Sequence, residues 1–241
     1  MNKPVGKTVA VVLAGGSGER FGEKTPKQFI AMGGKPLMMH CLLALQSSSL
    51  IDEIYVVSAK GYLDKTRDLL QSYHIAKAKA VIEGGATRKE SSYRALLYLR
   101  RLRIDPDSYV LICDADRPNL TEDLIQRNVE AAKQTGAAVT AKQATDSILY
   151  SRQGAIVSEY FPRRMVFQAQ TPQTFRFDII FSAHKKANRS KEYDLYTDDA
   201  SLVKALTSAK VAIVEGSNQN LKINTKDDEA TFISMRRNRH E

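Results

Sequence analysis

A glycine-rich stretch near the start of the chain combines residue types that bind phosphate. Residues 9–29 have the sequence VAVVLAGGSGERFGEKTPKQF, in which an apolar run is followed by a glycine-rich loop. Glycines let backbone N–H groups face an anion without a Cβ in the way, and cationic side chains add charge that backbone dipoles alone do not supply. The glycines and cations of this loop are Gly15, Gly16, Gly18, Gly22, Arg20 and Lys27. The stretch predicts a buried strand that leads into a phosphate-binding loop.

Two common nucleotide-binding loops do not fit this stretch. A dinucleotide-binding fingerprint that starts at Gly16 needs a third glycine where Phe21 stands, and no acidic residue lies in 33–40 to bind a ribose. A P-loop needs Gly-Lys-Ser/Thr, but Gly22 is followed by Glu23. Both alternatives fail at their defining residues.

A carboxylate follows the most apolar strand candidate of the chain. Residues 109–113 have the sequence YVLIC, and Asp114 comes directly after them. A carboxylate at the carboxyl end of such a strand, next to a triphosphate, is placed to hold Mg²⁺ together with phosphate oxygens. The alternative is that Asp114 only caps the next turn, and we favour metal binding. Asp116 is either a second ligand or simply exposed.

Two further segments point toward the same site. Segment 84–96 starts with two glycines and opens a helix whose first turn carries Thr87, Arg88 and Ser91. These residues form either a cap with a solvated turn or the second wall of a nucleotide pocket, and the glycine loop favours the second interpretation. Lys222 follows a late strand, so it can return to the phosphate site.

The elements that position these residues alternate between strand and helix. This alternation predicts one α/β domain over 1–241, with a Rossmann-like, mostly parallel sheet and helices on both faces. Ligands of such sheets bind beyond the carboxyl ends of the strands. The predicted strands are 9–14, 54–57, 80–82, 109–113, 137–141 and 211–214. The predicted helices are 36–46, 61–73, one that starts after 84, 121–133, 177–186, 198–206 and 226–235.

The alternation is interrupted at about 142–170. Segments 145–150 and 165–167 flank a polar turn around 151–154, which predicts a hairpin-like β-arm that projects from the sheet. A projecting arm needs a partner surface, and a second copy of the chain is the simplest partner. We therefore expect a homodimer.

Composition sets limits on the function. The formal net charge of +9 leaves open a non-catalytic nucleic-acid-binding protein. However, the basic residues are dispersed, no RRM, KH or zinc-finger pattern is present, and a small anionic substrate explains the charge equally well. Cys41 and Cys113 fall in a predicted helix and strand, which indicates neither disulfides nor a metal cluster. With no signal sequence or membrane span in the pattern, we expect a cytoplasmic protein that binds neither nucleic acid nor membrane.

The order of the motifs resembles one enzyme family. The pattern L-A-G-G-x-G-x-R, followed by P-K-Q at 26–28, is similar to the signature loop of nucleotidyltransferases that make nucleoside-diphosphate sugars and alcohols. So many matching residues disfavour a simple turn with solvated cations. Along nearly the whole chain, the motifs resemble the family of 2-C-methyl-D-erythritol 4-phosphate and ribitol-5-phosphate cytidylyltransferases. The other matching segments are 84–85, Arg88 with Ser91, 114–115, 117–118, 145–148, 170–173, 197–198 and 220–222.

The resemblance implies a set of site residues. It implies CTP as the nucleotide, with phosphates bound by Arg20, Lys27 and Lys222 and Mg²⁺ at Asp114. The implied nucleotide contacts are Leu13, Ala14, Gly15, Gly16, Gly18, Gly85, Arg88, Ser91 and Ala115. The implied acceptor contacts are Ser147, Arg163 and Arg117. The arm would bring Ser147 and Arg163 to the acceptor across a dimer.

The chemistry agrees with that family. A phosphate monoester can attack the α-phosphorus of CTP and expel pyrophosphate, so no side-chain nucleophile is required. Segments 13–16, 162–163 and 170–173 are closer to the ribitol branch, which favours CDP-ribitol synthesis for teichoic acid or capsule. Isoprenoid synthesis from 2-C-methyl-D-erythritol 4-phosphate is the alternative. Three residues depart from the family pattern, namely Cys113, Asp116 and Ser147.

Overall fold

A seven-stranded sheet forms the centre of the molecule in this computed structural model, which describes residues 6–16, 21–22, 25–189 and 196–237. The spatial order of the strands is β11-β7-β10-β6-β1-β4-β5. All neighbours are parallel except β10, which runs antiparallel to both β6 and β7. The strands are β1 (Thr8–Ala14), β4 (Glu53–Ser58), β5 (Ala78–Glu83), β6 (Tyr109–Asp114), β7 (Gly136–Gln143), β10 (Phe167–Arg176) and β11 (Lys210–Glu215). The predicted α/β class with a mostly parallel sheet is confirmed.

Helices cover both faces of the sheet, as predicted. Alternate residues of β1 enter different cores: Ala10 and Val12 pack with α1, α2 and α4, whereas Val9 and Val11 pack with α3, α5 and α6. A strand that is buried on both faces reads as a continuous apolar run, which is the pattern seen in its sequence. The helices are α1 (Leu37–Ser47), α2 (Leu63–Ser72), α3 (Arg88–Arg101), α4 (Glu122–Thr135), α5 (Phe177–Ala187), α6 (Asp199–Leu206) and α7 (Lys226–Arg237).

Local signals fix the helix ends near the site. Thr87 caps α3 by accepting a hydrogen bond from the Glu90 N–H, and Thr121 caps α4 by accepting one from the Leu124 N–H. Each such cap contributes about 1 kcal/mol to helix stability. Gly136 ends α4 in the left-handed region at φ 85°, where a side chain would be strained. These caps place the first turn of α3 at the rim of the sheet.

Strand β10 is an element that the sequence pattern did not predict. It lies between β6 and β7, and its register shifts between Gln170 and Gln173. Pro172 has no N–H to give to a neighbouring strand, so it is accommodated at this irregularity. The segment 170–175 therefore completes the sheet rather than only returning the chain to it.

The segment predicted as an arm contains a separate two-stranded antiparallel sheet. Strand β8 (Ile148–Tyr150) pairs with β9 (Glu159–Phe161). The expectation that 165–167 supplies the second apolar segment is wrong, because Arg163–Met165 forms a 3-10 turn and Phe167 pairs with Gln143 as the start of β10. Two short strands, β2 (Ala31–Met32) and β3 (Lys35–Pro36), form another small sheet. The use of the 142–170 segment in dimerisation stays a prediction.

Two composition-based expectations concern the described residues directly. Cys41 and Cys113 are both buried and free. Burial raises the pKa of the Cys113 thiol, and Cys41 beside it adds to the effect. Among the described residues, no helix has the length and apolar character needed to cross a membrane.

Candidate active site

A cleft of about 980 Å³ opens at the carboxyl ends of β1, β5 and β6. It brings together residues from both glycine-containing segments, from the end of β6 and from the segment after β11. Its lining includes Leu13, Gly15, Gly16, Phe21, Pro26, Lys27, Ala59, Lys60, Tyr62, Gly84, Gly85, Ala86, Thr87, Arg88, Ser91, Asp114, Asp116, Lys222 and Asn224. The cleft therefore lies where the alternation of strands and helices predicts a ligand site.

Two glycine segments meet at one wall of the cleft. A Cβ on Gly15 would lie 3.3 Å from Ser91 Oγ and 3.7 Å from Gly84 Cα. The two segments can therefore approach this closely because Gly15 and Gly84 have no side chains. Ser91 Oγ accepts a hydrogen bond from the Gly85 N–H at 3.0 Å. Ser91 therefore packs beside Gly15 and also holds the loop that carries Gly85.

Gln28 also holds the first glycine loop in place through hydrogen bonds. Its Nε2 donates to the carbonyl oxygens of Ala14 at 2.7 Å and Gly16 at 2.9 Å. Gln28 is buried. It follows Lys27 directly, so one short 3-10 turn, Lys27–Phe29, both supports the loop and carries a cation that lines the cleft.

Asp114 is the centre of the charged part of the cleft. Its Oδ1 accepts from Arg88 Nε at 3.0 Å, and its Oδ2 accepts from Lys222 Nζ at 2.8 Å. Its backbone N–H donates to Thr171 Oγ1, which ties β6 to β10. Burial alone would raise the pKa of the Asp114 carboxyl, but Arg88 and Lys222 hold that pKa well below its usual value. Asp114 is therefore an anion with both oxygens engaged.

Arg88 connects the Asp114 carboxylate of the cleft to a second buried carboxylate, Asp199. Its Nη1 donates to Asp199 Oδ2 at 2.6 Å, and Asp199 is fully buried. Asp199 Oδ1 also lies 2.9 Å from His184 Nε2. Burial opposes ionisation of Asp199, yet Arg88 and His184 lower its pKa from 3.8 to about 2. Asp199 thus fixes the guanidinium that in turn orients Asp114.

Lys27 lies on the opposite side of the charged cluster. Its Nζ donates to the Ile223 carbonyl, to Asn224 Oδ1 at 2.9 Å and to Asp116 Oδ2 at 2.7 Å. Lys222 Nζ lies 3.8 Å from Asp116 Oδ1. Both lysines that the sequence predicted to bind phosphates therefore border the same carboxylate.

Not every predicted site residue lines the cleft. Arg117 is largely buried, donates to the Asn220 carbonyl at 2.7 Å and lies 3.9 Å from Asp114 Oδ2, behind the lining. Ala115 is buried and donates its N–H to the Leu13 carbonyl, while the Ala14 carbonyl is taken by Gln28. Gly18 and Arg20 lie outside the described residues.

Two of the predicted acceptor contacts lie away from the cleft. Ser147 and Arg163 are exposed, and Arg163 Nη1 donates to the Thr145 carbonyl at 3.2 Å. They lie in the 142–170 segment and do not line the cleft of the same chain.

Sequence reasoning missed several supporting residues. The roles of Gln28, Asn224, His184 and Asp199 depend on contacts between distant segments. The Arg88–Asp199 pair, for example, joins residues 111 positions apart. Gln28 has one local signal, its place after Lys27 in the P-K-Q motif.

Asp114 and Asp116 are the carboxylates of the cleft that could hold a divalent cation together with a nucleotide's phosphates. Among the described residues, no three His, Cys, Asp or Glu side chains converge as a possible metal site. Asp114 and Asp116 both face Lys222 Nζ, at 2.8 and 3.8 Å. Because Mg²⁺ commonly takes one or two carboxylates and completes its shell with phosphate oxygens and water, this donor set suits it.

Comparisons with known proteins identify the family of this chain. The chain matches the family model described as IspD, 2-C-methyl-D-erythritol 4-phosphate cytidylyltransferase, over residues 8–235. A protein of that name from Syntrophus aciditrophicus (strain SB) is 38% identical over 223 residues, covering 92% of each chain. The ribitol-5-phosphate cytidylyltransferase of Streptococcus agalactiae serotype V is 34% identical over 228 residues, covering 94% of each chain.

Solved structures show the same fold. The crystal structure of 4-diphosphocytidyl-2C-methyl-D-erythritol synthase from Anaerococcus prevotii DSM 20548 is similar, with a TM-score of 0.82 at 27% identity. The match covers 96% of this chain and 99% of that chain. The resemblance inferred from the order of the motifs is thus confirmed. The chain belongs to the 2-C-methyl-D-erythritol 4-phosphate cytidylyltransferase family and is a cytidylyltransferase.

Proposed function

We propose that this enzyme transfers CMP from CTP to a polyol phosphate, specifically D-ribitol 5-phosphate, and releases CDP-ribitol and pyrophosphate. The observation that carries the proposal is the grouping of Lys27, Lys222, Arg88 and Asp114 in one cleft beside a glycine wall. The ribitol assignment is supported by segments 13–16, 162–163 and 170–173, whose sequences are closer to the ribitol branch of the family. CDP-ribitol would serve teichoic acid or capsule synthesis in the cytoplasm.

The nucleotide would occupy the cleft along the glycine wall. Gly15 and the 84–85 segment offer a surface without side chains, with Leu13 beside them, so a base and ribose can lie against the backbone. The triphosphate would extend toward Lys27 and Lys222. Arg20, which lies outside the described residues, is proposed as a further phosphate ligand from its position in the sequence of the glycine loop.

The reaction needs positioning and charge neutralisation rather than a protein nucleophile. An oxygen of the acceptor's phosphate monoester attacks the α-phosphorus of CTP, a new P–O bond forms, and the bond to pyrophosphate breaks. Lys27 and Lys222 would bind the phosphate oxygens on which charge builds up. Asp114 would hold Mg²⁺, with Asp116 nearby. The ion would neutralise phosphate charge when bound.

The binding site for the acceptor would be completed by a second copy of the chain. Ser147 and Arg163 lie outside the cleft of their own chain, in a segment whose apolar side chains are exposed. A homodimer through this segment would cover those side chains. It would also bring a hydroxyl and a guanidinium to the acceptor bound by the partner.

Side-by-side turnover assays test the proposal. Purified enzyme with CTP and Mg²⁺ is given D-ribitol 5-phosphate or 2-C-methyl-D-erythritol 4-phosphate, and pyrophosphate release is measured. We expect kcat/KM to be higher with D-ribitol 5-phosphate. The second acceptor is the alternative, because relatives of that name reach 38% identity. A preference for it would overturn the ribitol assignment, and no turnover with either would overturn the proposed acceptor class.

A further inference from the structure

All three hydrogen-bond donors of the Lys27 ammonium are directed at protein acceptors. A lysine ammonium has three N–H donors. Those of Lys27 point to the Ile223 carbonyl, to Asn224 Oδ1 at 2.9 Å and to Asp116 Oδ2 at 2.7 Å. The Lys27 side chain is only 11% exposed. A phosphate can therefore gain a hydrogen bond from Lys27 only by displacing one of these acceptors.

Asp116 is the charged member of that set, and it borders the other lysine as well. Its Oδ1 lies 3.8 Å from Lys222 Nζ and accepts no hydrogen bond from the described residues. Its backbone carbonyl accepts from the Ile223 N–H at 2.9 Å, which fixes the segment that carries Lys222. One carboxylate thus lies between both cations to which the proposed function assigns the phosphates.

We propose that Asp116 is a positioning residue that competes with the nucleotide's phosphates for Lys27 and Lys222. This inference rests on the proposed function, since it takes the two lysines as phosphate ligands. A triphosphate must replace the Asp116 carboxylate as the partner of Lys27, and the carboxylate then remains as a like charge close to the phosphates. Both effects oppose nucleotide binding, because charges in a largely buried site are weakly screened.

Calorimetric titration with CTP tests the inference on three proteins: the wild type, Asp116→Asn and Asp116→Ala. Each is titrated with Mg²⁺ present and with EDTA, at low and high salt. With EDTA, we expect both variants to bind CTP about tenfold more tightly than the wild type at low salt, with a smaller gain at high salt. With Mg²⁺ the gain should have the same sign but be smaller, because Asp116 lies near the carboxylate proposed to hold the ion. The asparagine variant preserves shape, so it decides the question if the alanine variant fails to fold.

Asp123→Asn is the matched control. Asp123 is an exposed residue of α4, paired with Arg127 at 2.8 Å, and it does not line the cleft. Its variant loses the same formal charge, so its affinity for CTP should stay at the wild-type value. In a Lys27→Ala background, Asp116→Asn should give little gain in CTP affinity, because the lysine for which Asp116 competes is then absent.

The outcomes separate the inference from the proposed function. If the wild type binds CTP and Asp116→Asn binds it equally or more weakly, Asp116 does not compete with the phosphates and the inference is overturned. An equal gain in Asp123→Asn would also overturn it, since net charge alone would explain the effect. If the wild type binds no CTP even with Mg²⁺, the proposed function itself fails.

Discussion

Lys222 is the residue at which several parts of the site meet. It follows β11 in the chain, yet its Nζ lies 2.8 Å from Asp114 Oδ2 at the end of β6. We predict that Lys222→Ala lowers kcat/KM for pyrophosphate release roughly a hundredfold, because one cation that stabilises charge on the phosphates is lost. Asp114 keeps its hydrogen bond from Arg88, so the fold should persist.

Lys210→Ala provides the comparison for this prediction. Lys210 is exposed at the start of β11 and does not line the cleft. The variant should retain wild-type kcat/KM. A loss of less than about threefold in Lys222→Ala would show that this lysine has no part in transition-state stabilisation.

Asp199 links the site to the stability of the protein at acid pH. Its pKa is about 2 in the folded protein, compared with an ordinary value of 3.8. A depressed pKa means that the ionised carboxylate stabilises the fold above about pH 4, and that this contribution is lost as the pH falls toward 2. The shift corresponds to about 2 kcal/mol. In urea unfolding, Asp199→Asn should therefore be less stable than the wild type near neutral pH, by at least about 2 kcal/mol, with a difference that shrinks in acid.

Asp178→Asn separates this effect from the loss of an ordinary ion pair. Asp178 pairs with Arg176 at 2.7 Å but is partly exposed. Exposed pairs contribute about 1 kcal/mol or less, so this variant should unfold nearly as the wild type does. A pH-independent difference for Asp199→Asn would contradict the role given to its ionisation.

At the scale of elements, the sequence predicted what local patterns determine. The apolar run of β1 and the caps at Thr87 and Thr121 are visible in the sequence, and they set strand and helix positions. Strand β10 is not visible in this way, because its middle, residues 170–174, has the polar sequence QTPQT with Pro172 in it. Its place between β6 and β7 is decided by tertiary packing, which overrides weak strand propensity.

The residues of the site also fall into those that local sequence patterns could predict and those that they could not. The grouping of Lys27, Asp114 and Lys222 could be predicted because each follows or leads from a strand whose carboxyl end lies at one rim. The network through Asp199 and His184 could not be predicted, since it requires knowing that α3, α5 and α6 pack on the same face. Such contacts are set by the three-dimensional fold rather than by residue spacing.

The contact between two glycine segments gives a prediction at this scale. A Cβ on Gly84 would lie 3.2 Å from the Ser58 carbonyl oxygen and 3.4 Å from Gly15 Cα, both backbone atoms. We predict that Gly84→Ala lowers the free energy of unfolding by about 1 kcal/mol or more, because the backbone must shift. Gly16→Ala, whose Cβ would meet nothing within 4 Å, should change it by less than about 0.5 kcal/mol. Equal values in chemical denaturation would show that the segments are not tightly packed.

At the scale of the whole molecule, exposed apolar side chains are concentrated in one region. The two-stranded sheet of β8 and β9 and its flanks expose Leu149, Tyr150, Ile156, Val157, Tyr160, Phe161, Met165 and Phe167. A contiguous exposed apolar surface is typical of a protein interface. The same region carries Ser147 and Arg163, so acceptor binding would depend on formation of the proposed dimer.

Tyr160→Asp tests that connection. Tyr160 is 65% exposed, so the substitution should not disturb the fold, but a carboxylate at the proposed interface would oppose association. In light scattering coupled to size-exclusion chromatography, we expect the wild type as a dimer and the variant as a monomer. We also expect the variant to keep CTP binding while losing turnover of the polyol phosphate. Ile213→Asp changes an exposed side chain of the edge strand β11, outside the 142–170 segment, and should remain dimeric and active. A Tyr160→Asp monomer with full activity would show that one chain binds its acceptor unaided, and a dimeric variant would place the interface elsewhere.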